Sequence, residues 1–187
     1  MKLETKRLLL RNYKDTDVED YWEFVSQANV GPRCGWGVYT DKQKAAERLK
    51  YEISKPLQFA IVLKEKNKVI GSIEIMDVNL GSEYDEIIKE HAKTKEIGAL
   101  LNEKYWNCGY MSEALKTILR YCFENLDLDL VVASNFEPNI GSSKMQEKNG
   151  MLVYGRIKDF TIWYETDKPC DLILHKITKE EWSKMNI

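Results

Sequence analysis

The stretch from Lys95 to Asn125 limits the possible folds more than any other part of the chain. Lys95–Leu101 reads as a strand and leads through Tyr105-Trp106-Asn107-Cys108-Gly109-Tyr110-Met111 into Ser112–Asn125. There Ala114, Leu115, Ile118, Leu119, Cys122 and Phe123 recur at helical spacing. Strand, glycine-bearing loop and amphipathic helix, in that order, set the positive end of a helix dipole directly behind the loop. Such an end suits an anion, a pyrophosphate for example. One glycine before a helix suits a plain turn equally well, so the flanking sequence has to decide.

The rest of the chain supplies a mixed set of elements. Leu3–Arg11 reads as a first strand, and Asp15 or Thr16 can cap a helix over Val18–Ala28. Gly31-Pro32 breaks that helix, and Asp41 can cap a second over Lys42–Ser54, ahead of Pro56. Gln58–Lys64 and Lys68–Val78 form a hairpin about the turn Glu65-Lys66-Asn67. Asn79–Thr94 is polar and irregular and contains the acidic run Glu83-Tyr84-Asp85-Glu86. Leu128–Ser134 reads as a strand, Asn139–Asn149 as a short helix ended by Gly150, and Met151–Lys158 and Asp171–Lys176 as the last strands. Thr178 and Glu181 make the capping box of a terminal helix. Two helices and a hairpin followed by alternating elements describe a layered α/β domain rather than a doubly wound one. At 187 residues, without a repeat or a linker, the chain is expected to form one domain over 1–187.

Composition narrows the function classes. With 43% hydrophobic and 31% charged residues the chain is not of the disordered class. The net charge of −2, from 28 basic against 30 acidic residues, gives no general attraction to nucleic acid or to an anionic membrane. Cys34, Cys108, Cys122 and Cys170 lack the spacing of a zinc site or redox pair, and their dispersal does not read as a disulfide framework. No charge-free run approaches the roughly 18 residues of a membrane span, and no apolar segment follows the charged start as in a signal peptide. The expectation is a reduced, cytoplasmic protein without a metal site.

Two patterns decide the reading of the glycine loop. Glu96-Ile97-Gly98, Leu101, Tyr105-Trp106, Gly109-Tyr110 and Ser112-Glu113-Ala114 fall in register on Glu-Ile-Gly-x-x-Leu followed by Tyr-Trp-Gly-x-Gly-Tyr-Ala-(Thr/Ser)-Glu-Ala. Asn139, Ser142, Glu147, Lys148 and Gly150 match Asn-x-x-Ser followed by Glu-Lys-x-Gly-Phe. Together with Glu4-Thr5-Lys6-Arg7-Leu8-Leu9-Leu10-Arg11 at the start and Ile177–Trp182 near the end, these residues resemble the GNAT acetyltransferase superfamily over essentially the whole chain. The likeness is strongest to the branch that includes the ribosomal-protein N-terminal acetyltransferases. Three positions depart from the pattern: Asn107 replaces a glycine, Met111 a small residue, and Met151 a phenylalanine. Asn107 tolerates left-handed backbone, and Met111 is expected to point back into the core.

The resemblance implies an α/β fold with a central, mostly antiparallel mixed sheet flanked by helices. It further implies direct attack of an amine on the thioester of acetyl-coenzyme A, the cosubstrate. The pantetheine arm would pair along Glu96–Leu101, with backbone amides about Leu100 and Leu101 near the thioester. Backbone N–H groups of Cys108, Gly109, Tyr110, Met111 and Ser112, in the turn that Asn107 opens, would hold the pyrophosphate, and Asn139 would fasten the arm. Many relatives use a tyrosine as the acid at the position of Gln146, which cannot serve; the branch offers Ser142 instead, unless that residue only packs the helix start. Glu96 is the first candidate for the base and Glu74 the second, each balanced against a plain strand-face charge. Cys108 sits by an electropositive helix start but has no base beside it in sequence. His91 and His175 read as structural or solvated rather than catalytic, while Trp36 and Tyr39 either join the core or line the acceptor site.

An enzyme acting on a primary amine, whether a protein N-terminus or a small molecule, is the leading reading. A catalytically silent acyl-coenzyme A module of the same fold is the alternative, suggested by Asn107, Met111 and Gln146. A mononucleotide-binding protein fits least, because the lysine and hydroxyl of a P-loop do not follow Gly109. Relatives are commonly dimers, and nothing in this sequence demands or forbids one.

Overall fold

Lys64–Lys66 and a left-handed Asn67, at φ 46°, turn strand β3 (Gln58–Leu63) back onto β4 (Lys68–Met76), as the hairpin pattern predicts. The computed structural model describes residues 2–78 and 89–185. The acidic run Glu83–Glu86 lies outside them. Two compact units divide the chain: Met1–Ile75 with Ala99–Thr117, and Met76–Gly98 with Ile118–Ile187.

In the first unit β1 (Lys2–Glu4), β2 (Leu8–Arg11), β3 and β4 are successive antiparallel neighbours. Leu3–Arg11 is thus a hairpin rather than the single expected strand. Thr5 reverses the chain, its hydroxyl oxygen accepting from the Leu8 N–H at 2.8 Å, and Leu3 comes opposite Leu10. Helix α1 covers Val18–Val25, three residues fewer than the apolar spacing predicts. At its end the Ser26 hydroxyl donates to the Trp22 carbonyl at 2.8 Å. Neither Asp15 nor Thr16 caps it; Asp17 stands at the cap position, with its carboxylate held by Arg11 at 2.7 Å and the Lys14 N–H at 2.8 Å. Helix α2 (Lys42–Ser54) begins as expected, Asp41 accepting from the Gln43 N–H at 2.8 Å. The apolar stripes of α1 and α2 (Tyr21, Phe24, Val25, Ala45, Leu49) cover Ala60, Val62 and Val69 of the hairpin.

Strand β5 spans Thr94–Leu101, and its last residues belong to the first unit. The Asn102 N–H donates to the Ile70 carbonyl at 2.8 Å. A side chain on Gly71 would put its Cβ 2.4 Å from the Leu100 carbonyl oxygen, so β4 and the end of β5 meet at a contact only glycine allows.

In the second unit the start of β5 pairs parallel with β6 (Leu130–Phe136), which is antiparallel to β8 (Lys168–Thr178), which is antiparallel to β7 (Leu152–Trp163). Helix α3 (Tyr110–Glu124) starts in the first unit and ends in the second, which also holds α4 (Ile140–Lys148) and α5 (Lys179–Ser183). The last strands are longer than their apolar runs predict. Polar Lys158 and Asp159 sit within β7 at an irregularity in its pairing, where Asp159 takes φ 49° and its N–H reaches Asp171 Oδ1 at 3.0 Å. Leu130, Val132, Phe136, Trp163, Leu172 and Leu174 form the core there. The Thr178–Glu181 capping box is present in both directions, at 3.1 and 2.8 Å. Mixed, mostly antiparallel strands with helices between them are the α/β architecture the sequence leads one to expect.

Candidate active site

Asn107 and Gly109 both take left-handed backbone, at φ 59° and 77°. Asparagine is among the few side chains that tolerate this region, so replacement of a glycine at 107 leaves the turn intact. The space beside Gly109 is open enough for a Cβ, 3.5 Å from Arg7 Nη2; its φ is what favours glycine. Helix α3 begins at Tyr110, two residues before the expected Ser112, and its Glu113 N–H bonds the Gly109 carbonyl at 3.1 Å. Tyr110, Met111 and Ser112 therefore form the first helical turn, where a helix presents N–H groups to an anion, rather than the loop. Met111 is half-buried.

Arg7 braces this turn from the start of the chain. Its Nε lies 2.6 Å from Glu113 Oε2, its Nη1 donates to the Cys108 carbonyl at 3.0 Å, and its Cζ stands 4.3 Å from the centre of the Tyr110 ring. The Arg7 N–H and the Thr5 hydroxyl both donate to Glu113 Oε1. Burial pushes the Glu113 carboxyl up, but these donors outweigh it and leave it below the ordinary carboxylate value. Sequence reasoning missed Arg7 and Glu113 as site residues, although both lie in the matched segments.

The approach to the turn is fixed as well. Trp106 Nε1 donates to the Leu101 carbonyl at 2.8 Å, tying the turn to the end of β5. Fully buried Asn102 accepts from Gln27 Nε2 at 2.9 Å and from the Lys104 N–H at 3.0 Å, and donates to Glu23 Oε1 at 3.2 Å. Lys68 beside Glu23, with Lys104 and Asn102, outweighs desolvation and holds its carboxyl at about 2. Leu101 is buried, and Leu100 packs partly buried on the core of the first unit. Trp36 and Tyr39 pack on that core too, edge to face at 5.6 Å. Glu74 is occupied by Lys55 at 3.0 Å. Cys108 is exposed, its Sγ 3.3 Å from the Trp106 carbonyl.

Glu96, Asn139 and Ser142 belong to the second unit. Glu96 is buried on β5 opposite Val132, four residues before Leu100 in the same strand. Asn139 caps α4, Oδ1 accepting from the Ser142 N–H at 3.4 Å. Ser142 Oγ accepts from Gln146 Nε2 at 3.0 Å, and the same nitrogen reaches Asn135 Oδ1 at 3.3 Å. Ser143 donates to Glu147 Oε1 at 2.8 Å, and its Oγ stands 3.3 Å from Nε2 of fully buried His175. Burial lowers the His175 pKa, with Glu147 opposing. Among the described residues no group of His, Cys, Asp and Glu is arranged for a metal, and no helix is long and apolar enough to cross a membrane.

Residues 7–152 match the family model described as acetyltransferase (GNAT) domain. The chain is 30% identical over 187 residues to the uncharacterized N-acetyltransferase YnaD of Bacillus subtilis, covering 98% of this chain and 100% of that protein. Its fold is similar to the crystal structure of a GNAT-family acetyltransferase from Bacillus anthracis, with TM-score 0.81, 27% identity and coverage of 96% and 99%. A spermidine N-acetyltransferase from Vibrio cholerae, solved in complex with CoA and spermine, shares the fold at TM-score 0.76 and 14% identity, with coverage of 96% and 99%.

Proposed function

The chain belongs to the GNAT acetyltransferase family, and on that premise we propose that it moves the acetyl group of acetyl-coenzyme A to a primary amine by direct attack. The observation that carries this reading is the Asn107–Gly109 turn, which keeps its left-handed geometry without the family's first glycine and feeds α3. In the proposed assignment, backbone N–H groups from Cys108 to Ser112 hold the pyrophosphate. Leu100 and Leu101 present backbone to the thioester, and Asn139 fastens the pantetheine arm. Glu96 takes the amine proton, through water, and Ser142 donates toward the sulfur as it leaves. The enzyme is read as one cytoplasmic acetyltransferase domain over 1–187.

The acceptor is a protein N-terminus or a small amine. Polyamines join the trial acceptors because a structural neighbour was solved with spermine, and N-terminal peptides join them because of the ribosomal-protein branch. Calorimetric titration with acetyl-coenzyme A, with ATP as control, tests the cradle; thiol release over the amine panel tests the transfer. Saturable binding of acetyl-coenzyme A alone and amine-dependent thiol release are expected. Absence of binding, or equal binding of ATP, overturns the reading. Binding without amine-dependent release hands it to the silent module.

A further inference from the structure

We infer that Gln146 is a positioning residue that sets Ser142 as a hydrogen-bond donor, an inference that rests on the role proposed for Ser142 at the leaving sulfur. The two lie four positions apart on α4 and so share one face. A chain of donors fixes the direction of each proton. Asn135 Nδ2 donates to the Phe136 carbonyl at 3.0 Å, which turns Asn135 Oδ1 toward Gln146. Gln146 answers with Nε2, at 3.3 Å from that oxygen and 3.0 Å from Ser142 Oγ. An amide nitrogen carries two protons. One goes to Asn135 and the other to Ser142, so Ser142 Oγ is the acceptor of this pair and its own proton points away from Gln146.

Burial makes the arrangement binding. Asn135 is 5% exposed and Gln146 3%, so water competes little for these groups. Gln146 Oε1 is buried and has no hydrogen-bond partner among the described residues. Turning the amide over would set Oε1 against Asn135 Oδ1, acceptor against acceptor. An orphaned buried oxygen is unfavourable, and the cluster tolerates it while keeping an N–H on Ser142.

The chemistry follows from that N–H. The amine nitrogen bonds to the thioester carbon, the C–S bond breaks, and its electron pair passes to sulfur. Ser142 passes its proton to that sulfur as Oγ takes one from water, so no free alkoxide forms, and the Gln146 N–H meets the charge that builds on Oγ during the transfer. The proton shed by the amine nitrogen leaves through the base to solvent. An oxygen that accepts one hydrogen bond is also the better donor of its own.

The test compares full-length Ser142→Ala, Gln146→Glu, Gln146→Met and the double variant Ser142→Ala/Gln146→Glu, using acetyl-coenzyme A and the best amine across pH. Far-UV circular dichroism and acetyl-coenzyme A titration check the fold of each. Gln146→Glu is expected to lower kcat about tenfold at alkaline pH, a fraction of what a full general acid supplies, with KM for acetyl-coenzyme A within about twofold. An ionised carboxylate accepts the Ser142 proton instead of donating, so the loss relative to wild type should shrink as pH falls and the carboxyl protonates. Gln146→Met, uncharged, is expected to lose a similar factor without that recovery, and it carries the test where Gln146→Glu does not fold. The double variant should be no slower than Ser142→Ala. Unchanged kcat in Ser142→Ala overturns both the acid assignment and this inference. A slow Ser142→Ala beside a wild-type Gln146→Met overturns this inference alone.

Discussion

The Nε of Arg7 lies 2.6 Å from Oε2 of Glu113, joining the residue that leads into β2 to the first turn of α3. The pair is partly exposed, with side-chain accessibilities of 40% and 22%, so its direct contribution to stability is about 1 kcal/mol or less. Its larger effect is on the cradle, because the same guanidinium holds the Cys108 carbonyl. Arg7→Ala is expected to weaken acetyl-coenzyme A binding by about tenfold, with little change in the urea midpoint, from loss of charge-assisted bonds. Arg7→Lys should recover only part of this, since an ammonium cannot serve Glu113 and Cys108 in one plane. Calorimetry on the three proteins reads the order, and equal affinities would remove the brace from the account.

Asn107 makes a second case for the turn. Asn107→Gly should bind acetyl-coenzyme A as wild type does, since glycine enters φ 59° freely. Asn107→Val should lose about 1–2 kcal/mol, the penalty of a left-handed residue with a β-branched side chain. Urea unfolding of both variants measures the difference, and a valine variant as stable as wild type would contradict the observed φ.

Local chemistry was readable from the sequence, and distant pairing was not. The caps at Asp41 and Thr178, the Asn67 turn and the amphipathic face of α3 depend on neighbours a few residues away, and each stands where the pattern puts it. Leu3–Arg11 misleads because alternation that passes into the apolar run Leu8-Leu9-Leu10 reads as one strand, while the hydroxyl of Thr5 makes a reversal inside it. Lys158 and Asp159 read as the end of a strand because a bulge in an edge strand keeps polar residues within it. Arg7 and Glu113 are 106 positions apart, and no periodicity reports such a contact. Ser142 and Gln146 were within reach of i, i+4 reasoning, but the proton direction between them needs Asn135, which lies on β6.

Gly71 tests the close approach of β4 and β5. A Cβ there would meet the Leu100 carbonyl oxygen at 2.4 Å and Leu101 Cα at 3.0 Å, both backbone atoms that cannot swing aside. Gly71→Ala is therefore expected to cost about 2 kcal/mol or more, the range of overpacked core sites. It should also raise KM for acetyl-coenzyme A, because Leu100 and Leu101 shift with the strand. An alanine variant with wild-type unfolding and KM would show that this approach is looser than the backbone positions require.

His175 is expected to make the fold less stable as the pH falls below the ordinary imidazole value. Burial lowers its folded pKa below the ordinary 6.5, while Glu147 partly opposes the change. Above pH 6.5 the imidazole is neutral in both folded and unfolded chains and adds no slope. Below it the unfolded chain takes up a proton first, so stability falls with pH until the folded pKa is passed. The fall amounts to about 1.4 kcal/mol for each pH unit separating the unfolded and folded pKa values. The facing groups are Ser143, whose proton goes to Glu147 and whose Oγ therefore accepts from His175 Nε2–H, the Glu147 carboxylate at 3.9 Å, and the Ile173 backbone, which also favours the protonated ring. Thermal unfolding between pH 7.5 and 5.5 should show a falling midpoint in wild type and a flatter one in His175→Asn, which cannot titrate. Parallel slopes in the two proteins would mean that the imidazole is protonated as easily inside the fold as outside it.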